Sequence, residues 1–304
     1  RSRRRRVNDG RWGIRSPFHL AGVVPLAGEK LDFNFPWHDS MQPIGPDYLA
    51  VERAVLECAW AGCETIWLVC NDDMQPLVRS RLGEYVIDPV SIGRLNKYPS
   101  ESRRKIPIYY VPIHPKDLGK RDCLAFSALY GALTSYHVSN KISKWVVPSR
   151  YYVAFPYGVY DPEILREHRL DISSDNSFFL SSDGKTVADG EYLGFTFDEE
   201  EYKKYKKVIM DEGTGYRPKG TAFGDEDVLP LEERWSAVHF KLDTVFRSAR
   251  IAEAKVVELP WYNNIGSWQG LKDYLASEVE LEKPNKLILS SRQWSKIGES
   301  IEEE

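Results

Sequence analysis

The chain has 304 residues, of which 42% are hydrophobic and 28% are charged, and its formal net charge is −4 at pH 7. A chain of this length can bury a sizeable hydrophobic core, either as one large α/β domain or as two smaller domains. No apolar run in it reaches the roughly 18 residues that a membrane-spanning helix needs. The composition is too polar for a membrane protein. The negative net charge argues against a protein that binds DNA or RNA over its whole surface. We expect a cytoplasmic protein.

Two local features qualify this picture. Arg1 and Arg3 to Arg6 form a basic tail that could contact nucleic acid, an acidic partner or a lipid surface. The alternative is that this tail is a solvated chain end that contributes nothing to folding. The four cysteines lie in apolar sequence without CxxC or Cys/His spacing, so they are predicted to be small buried side chains rather than zinc ligands. They are Cys58, Cys63, Cys70 and Cys123.

The first elements in chain order form one βαβ unit. An apolar run from Leu20 ends in small residues at Gly28, which is typical of a buried parallel strand entering a loop. Helical periodicity then predicts a helix that is capped by Asp47 and ends at Gly62. The β-branched segment Thr65 to Cys70 predicts the next strand.

A second βαβ unit follows. A strand is predicted over Ile106 to Ile113, a helix over Asp122 to Tyr136, and further apolar segments over Trp145 to Pro148 and Tyr151 to Phe155. Such alternation favours a Rossmann-like, doubly wound, mainly parallel sheet.

After Asp161 the pattern loosens into a smaller α+β part. A hairpin is predicted at Phe178 to Leu180 with its turn at Asp183-Gly184, and a strand at Tyr192 to Phe197. Later elements are a helix plus a surface loop over 198–227, helices over 232–246 and 267–275, and a strand over 256–259. We therefore divide the chain into a basic tail (1–19), an α/β half (20–165), a smaller α+β half (166–280) and a C-terminal tail (281–304).

Ligands of an open parallel sheet bind beyond the carboxyl ends of its strands. The loop after the first strand contains Leu26, Ala27, Gly28, Glu29 and Lys30. It lacks the spacing of a dinucleotide or phosphate-loop fingerprint. Its small residues would let backbone amides approach a ligand, with Lys30 as a phosphate contact; a plain strand-to-loop turn is the alternative.

Polar residues follow the other predicted strands. Asp72 and Asp73 could hold a divalent ion through oxygen or act as turn residues, and Asp161 could be a metal ligand or a helix cap. His114 is a candidate base or a structural residue. We expect Gly28, Asp73, His114 and Gly158 to line one cleft at one edge of the sheet.

Six short motifs occur in a characteristic order: 23–28, 39–44, 61–69, 119–125, 155–161 and 264–268. Together they resemble the nucleotide-sugar pyrophosphorylases and related nucleotidyltransferases of the GT-A type. Those proteins carry a glycine-containing first loop, a proline segment, a helix ending in Ala-Gly, a small-residue turn, a strand ending in Gly-Asp and a late Asp-Ile-Gly-Thr-Trp motif. The resemblance implies a protein that acts on or binds a nucleotide or nucleotide sugar, with Mg²⁺ or Mn²⁺.

Applied to this chain, the resemblance implies the reaction of an NTP with a sugar phosphate to give an NDP-sugar and pyrophosphate. Lys30 would contact phosphate, Asp161 the metal, and Gly28 and Asp122 the nucleotide.

The chain also departs from the family. Its first loop lacks the family's arginine, and Asp39 or Ser40 stands where the family has a lysine. Val159 and Asn264 replace the two metal-binding acids. Two alternatives therefore stay open: a glycosyltransferase that uses Asp72-Asp73 as its acidic motif, and a catalytically silent binding or assembly module.

Overall fold

The computed structural model describes residues 18–28, 35–92, 104–121, 123–213, 240–279 and 281–284. Its strands are β1 (Leu20–Pro25), β2 (Pro43–Gly45), β3 (Tyr48–Leu49), β4 (Thr65–Val69), β5 (Tyr85–Ile87), β6 (Lys105–Val111), β7 (Arg150–Val153), β8 (Gly158–Val159), β9 (Phe178–Ser181), β10 (Phe195–Phe197), β11 (Lys255–Glu258) and β12 (Asn263–Asn264). Its helices are α1 (Ala50–Ala61), α2 (Gln75–Leu82), α3 (Pro89–Ile92), α4 (Leu124–Ile142), α5 (Arg169–Ile172), α6 (Glu199–Glu212), α7 (Leu242–Phe246) and α8 (Trp268–Ala276). None of these helices is long and apolar enough to cross a membrane.

Eight strands form one sheet in the order β11-β9-β10-β7-β1-β4-β6-β5. β5 and β10 run antiparallel to their neighbours, whereas the other strands run in one direction. The sheet is therefore mixed and mainly parallel, which confirms the fold class predicted from the sequence.

Helices cover both faces of this sheet. A β-carbon added at Gly22 of β1 would lie 2.8 Å from Sγ of Cys58 in α1, and one added at Gly131 of α4 would lie 2.6 Å from Cγ1 of Val23. Successive residues of a strand point to opposite faces. Since residues 22 and 23 are neighbours, α1 and α4 pack on opposite sides of β1, as in a doubly wound fold.

The two predicted βαβ units are present. β1, α1, β4, β6 and β7 lie where the apolar pattern placed them. The predicted helix over Asp122 to Tyr136 begins at Leu124, after the N-cap Cys123, and continues to Ile142. Residues 137–141 contain neither Gly nor Pro, so nothing in the sequence stops the helix at Tyr136.

Strands from the second half extend the same sheet. The predicted turn is present, with positive φ at Asp183 (51°) and Gly184 (72°), and the returning strand β10 pairs with β9 in antiparallel fashion. β11 then pairs with β9 in parallel. Residues 214–239, which contain most of the predicted surface loop and part of the predicted 232–246 helix, lie outside the described residues.

The prediction that Asp47 caps α1 is wrong. Asp47 has φ 52° and lies in the turn between β2 and β3, before the helix begins. Its carboxylate accepts a hydrogen bond from Arg81 Nη2 (2.8 Å) and pairs with Lys283 Nζ (3.3 Å). At the helix start itself, Glu52 Oε2 accepts from the Leu49 amide at 2.9 Å. Ion pairs with distant segments therefore fix the position of Asp47.

α1 is buried along its whole length. Its other side is covered by the 3-10 helix Pro162–Arg166, so a charged pair, Arg53 and Glu57, is enclosed with no exposed side-chain surface. The pair is joined at 2.9 Å, and Arg53 Nη2 also donates to the Phe155 carbonyl at 2.6 Å. Tyr152 donates its hydroxyl to Glu57 at 2.8 Å. This cluster ties α1 to the segment that leaves β7.

All four cysteines are buried, as predicted.

Candidate functional site

The strand order reverses between β1 and β7. The chain passes outward from β1 to β4 and β6, then returns to β7 on the other side of β1. Crevices at such switch points, beyond the carboxyl ends of the strands, are where open α/β sheets bind ligands. The structure places Gly28, Asp73, His114 and Gly158 after β1, β4, β6 and β7 respectively, all at this edge.

The loop after β1 is fixed by its neighbours. The amides of Leu26 and Ala27 both donate to the Val69 carbonyl, at 2.8 and 3.1 Å, and both residues are fully buried. The Ala27 carbonyl accepts a hydrogen bond from Ser127 Oγ of α4 at 2.8 Å. The first turns of α4 therefore lie against the loop, and Gly28, with φ 108°, is its half-buried member.

A basic cleft lies beyond β6. It has a volume of about 470 Å³ and is lined by His114, Lys116, Asp117, Lys120 and Arg121. Arg121 pairs with Asp117 at 3.3 Å, which leaves the cleft with an excess of positive side chains. It directly precedes the N-terminus of α4, a long helix, and helix N-termini favour anions. Lysine charge and helix polarity thus act in the same sense, towards a negatively charged ligand.

The two departures from the family's acids lie together in a small antiparallel ladder, β8 with β12. Val159 is fully buried. Asn264 Nδ2 donates to Glu191 Oε2 at 3.0 Å, and the Tyr262 hydroxyl donates to the same oxygen at 3.1 Å. Burial raises the pKa of Tyr262, and the charge of Glu191 adds to the shift. A carboxylate that the sequence motifs did not reveal is thus adjacent to Asn264.

Gly158 occupies a closely packed position in this ladder. A β-carbon there would overlap the backbone carbonyl of Tyr192 and lie 3.1 Å from Cε2 of Tyr262. Only glycine leaves room for this approach.

Asp161 lines a second cleft, of about 600 Å³, with the 3-10 helix on one side and residues 259–261 on the other. Its Oδ1 accepts from the Glu163 amide at 2.9 Å, so it caps that short helix. The capping alternative is therefore observed, while the role of Asp161 in catalysis or metal binding stays a prediction.

The predicted acidic metal ligands do not form a cluster. Asp72 and Asp73 are exposed in the turn after β4, where their charges add to the burial that raises the pKa of Cys70 to about 12. Among the described residues, no group of three or more His, Cys, Asp or Glu side chains could hold a metal ion. Glu29, Lys30 and Asp122 lie outside the described residues.

Sequence reasoning missed the functional candidates Lys116 and Glu191. A signal existed for the first, since the basic run near Lys120 directly precedes a predicted helix. None existed for Glu191, which comes near Asn264 only through the pairing of two distant segments.

No protein-family profile matches the sequence, and no curated protein matches it. Several solved structures are similar to the chain, at sequence identities of 11–13%. A glucose-1-phosphate thymidylyltransferase from Bacillus anthracis is 11% identical, with 87% of this chain and 98% of that chain covered and a TM-score of 0.49. A 4-diphosphocytidyl-2C-methyl-D-erythritol synthase from Anaerococcus prevotii is 12% identical over 85% and 95%, with a TM-score of 0.47.

A UTP-bound UGPase from Acinetobacter baumannii is 12% identical over 93% and 100%, with a TM-score of 0.46.

Proposed function

We propose that this chain is a nucleotidyltransferase-like protein that binds the phosphates of a nucleotide or nucleotide sugar at the carboxyl edge of β1, β4, β6 and β7. The observation that carries this proposal is the basic cleft of His114, Lys116, Lys120 and Arg121 beside the N-terminus of α4. The hydrogen bond from Ser127 to Ala27 supports it, because it joins α4 to the loop at the switch point.

The electrostatics of the cleft distinguish it from the remainder of the molecule. The chain as a whole carries a net charge of −4, whereas this cleft has Lys116, Lys120 and Arg121 against the single carboxylate of Asp117. Lysine ammonium groups bind phosphate as point charges. A helix N-terminus adds roughly half a positive charge. These features fit a di- or triphosphate and not a neutral metabolite.

At the two positions where the resemblance puts the acids that hold Mg²⁺, the side chains of this chain do not fit a metal ion. Val159 is apolar and buried, and the Asn264 side chain is held by Glu191 and by the Gly266 amide. The reaction of an NTP with a sugar phosphate remains the finer form of the proposal, and it requires phosphate charge to be neutralised by the lysines of the cleft.

A second candidate is a silent binding module. Two observations favour it: Val159 is enclosed, and both the nitrogen and the oxygen of the Asn264 side-chain amide are hydrogen-bonded within the protein. It shares the nucleotide site and differs only in turnover. A glycosyltransferase would instead rely on Asp72 and Asp73, which are exposed at the end of β4.

The proposal is tested by isothermal titration calorimetry of the full chain with UTP, dTTP, CTP, GTP and ATP, and with UDP-glucose. Wild-type protein should bind at least one of them, more weakly as salt rises. Lys120→Glu should weaken binding about tenfold or more, because a charge-assisted contact is lost and a repulsive charge added.

Lys206→Glu is the matched control, since Lys206 is exposed on α6 and does not line the cleft. Equal effects of the two substitutions, or no binding by the wild type, would refute the proposal. Binding with no release of pyrophosphate and no transfer of sugar would select the silent module.

A further inference from the structure

A second cleft, of about 600 Å³, lies between the 3-10 helix Pro162–Arg166 and residues 259–261. The charged side chains that line it are those of Asp161, Glu163, Arg166 and Glu167. Arg166 pairs with Glu163 at 3.6 Å, so the lining has two carboxylates in excess. We call it the acidic cleft, because its charge is opposite to that of the basic cleft.

The two walls of the acidic cleft diverge from one short ladder. β8 and β12 pair in antiparallel fashion, with Val159 opposite Asn263. Continuing this register places Tyr160 opposite Tyr262, and the centroids of these two rings are 6.4 Å apart. The guanidinium group of Arg53 in α1 lies over the Tyr160 ring, 4.6 Å from its centroid. The cleft is therefore built on packed elements and is already formed, as small-molecule sites usually are.

Aromatic and apolar side chains complete the lining. Trp261 is half-buried, Ile164 is half-buried and Leu259 is buried, and all three line the cleft. Tryptophan is the aromatic side chain that attracts cations most strongly. The apolar side chains offer surface to methylene groups. The lining as a whole therefore suits a ligand that combines positive charge with an aliphatic body.

The carboxylates of the acidic cleft are spread along it. Asp161 and Glu167 cap the two ends of the 3-10 helix. Such a helix rises about 2 Å per residue, so their backbones are about 12 Å apart along its axis. Among the residues that the structure describes, no group of three or more His, Cys, Asp or Glu side chains could hold a metal ion. Separated carboxylates match a ligand whose positive charges are separated by a carbon chain.

The volume of the acidic cleft also indicates an organic molecule. Sites for small organic ligands usually have volumes of roughly 300–1,000 Å³, and this cleft has about 600 Å³. An extended triamine such as spermidine has its terminal ammonium groups far enough apart to reach towards both ends of the helix. Putrescine, a shorter diamine, reaches only one end at a time.

We infer that the acidic cleft binds an aliphatic polyamine, with ammonium groups at Asp161 and Glu167 and the methylene chain against Trp261. The inference is independent of the proposed function, because it requires neither the basic cleft nor turnover of a nucleotide. It adds a cation site to a chain whose other cleft is suited to anions.

The test is isothermal titration calorimetry of the full chain with spermidine, putrescine and Mg²⁺ in nucleotide-free buffer. Wild-type protein should bind spermidine about tenfold more tightly than putrescine, because only the longer amine spans both carboxylates. Glu167→Gln should weaken spermidine binding about tenfold and remove most of the preference for the longer amine, since it deletes one charge at nearly constant size. Trp261→Ala should weaken binding about fivefold, whereas Trp261→Phe should retain most of the affinity because a ring remains.

Glu253→Gln is the matched control, since Glu253 is exposed on the 3-10 helix Ile251–Glu253 and does not line the cleft. Equal weakening by Glu167→Gln and Glu253→Gln would overturn the inference, because spermidine would then respond only to the net negative charge of the chain. Binding of Mg²⁺ as tight as that of spermidine would overturn it as well, and so would a wild type that binds no spermidine. Failure to bind any nucleotide would refute the proposed function and leave this inference in place.

Discussion

Replacing Arg53 by methionine is expected to be among the most destabilising single substitutions in this chain. Arg53 and Glu57 form an ion pair that has no exposed side-chain surface. Arg53 also lies over the Tyr160 ring, 4.6 Å from its centroid, and donates to the Phe155 carbonyl. Methionine fills much of the same volume but supplies neither the charge nor the donors, so Glu57 would stay buried without its cation.

Removing one partner of a buried ion pair costs about 3–5 kcal/mol, because an uncompensated charge remains in the interior. For a chain of this size, each kcal/mol lowers Tm by roughly 2–4 °C, so we expect a decrease of roughly 10 °C. The double variant Arg53→Met/Glu57→Leu should recover most of the loss, since a well-packed apolar pair can replace a buried ion pair at little cost.

The loss should also depend on pH. Burial raises the pKa of Glu57, and Arg53 opposes that shift. Without Arg53 the folded-state pKa rises further above the unfolded value, so the folded variant takes up a proton more readily. Its instability relative to the wild type should therefore be larger at pH 8 than at pH 5.5.

The assay is urea unfolding followed by circular dichroism at both pH values. Arg79→Met serves as the control, because the Arg79–Glu84 pair is exposed and its loss should lower the free energy of unfolding by at most about 1 kcal/mol. A loss below 1 kcal/mol for Arg53→Met, or a double variant less stable than the single one, would refute the reasoning.

Three further predictions concern single positions. Gly158→Ala should cost about 1–3 kcal/mol in the same assay, because its β-carbon would overlap the Tyr192 carbonyl; an unchanged urea midpoint would contradict this packing. The hydrogen bond from Arg81 holds the pKa of the Asp47 carboxyl group below its usual 3.8. The ionised carboxylate therefore stabilises the folded protein above pH 3.8, and this contribution is lost as the pH falls through the lower pKa of the folded state. Wild type should thus be slightly more stable than Asp47→Asn at pH 7 and equal to it near pH 2, as measured by Tm; a gap that persists in acid would count against the ion pair. Asp161→Ala should lower the free energy of unfolding by about 1 kcal/mol, because the cap of the 3-10 helix is lost, whereas Asp161→Asn should keep the cap. If nucleotidyl transfer by Asp161→Asn is roughly a hundredfold slower, the charge of Asp161 has a role in catalysis.

The sequence by itself determined the four parallel strands at the centre of the sheet. β1, β4, β6 and β7 were predicted because a buried parallel strand is a continuous apolar run, and this is a property of a few adjacent residues. The helices α1 and α4 were predicted for the same reason, since their periodicity is local. Short strands such as β8 and β12 carry no such signal; two residues become a strand only when a partner pairs with them.

Charged residues were the most difficult to place. Arg53 and Glu57 are four residues apart on a helix, a spacing that normally indicates a solvated surface pair. The structure buries them because the segment after β7 folds back over α1, which no local pattern encodes. Asp47 failed as a cap for a related reason, since Arg81 and Lys283 attract its carboxylate from distant parts of the chain.

The candidate site shows the same division. Strand ends could be read from the sequence, so the edge that carries Gly28, Asp73 and His114 was predictable. Which side chains meet was not predictable. The hydrogen bonds of Asn264 to Glu191 and of Ser127 to Ala27 each join residues from distant parts of the chain. Local sequence determines where strands and helices form because their hydrogen bonds and apolar faces repeat over a few residues. The tertiary structure alone decides which loops come together, because that depends on how the complete sheet is ordered.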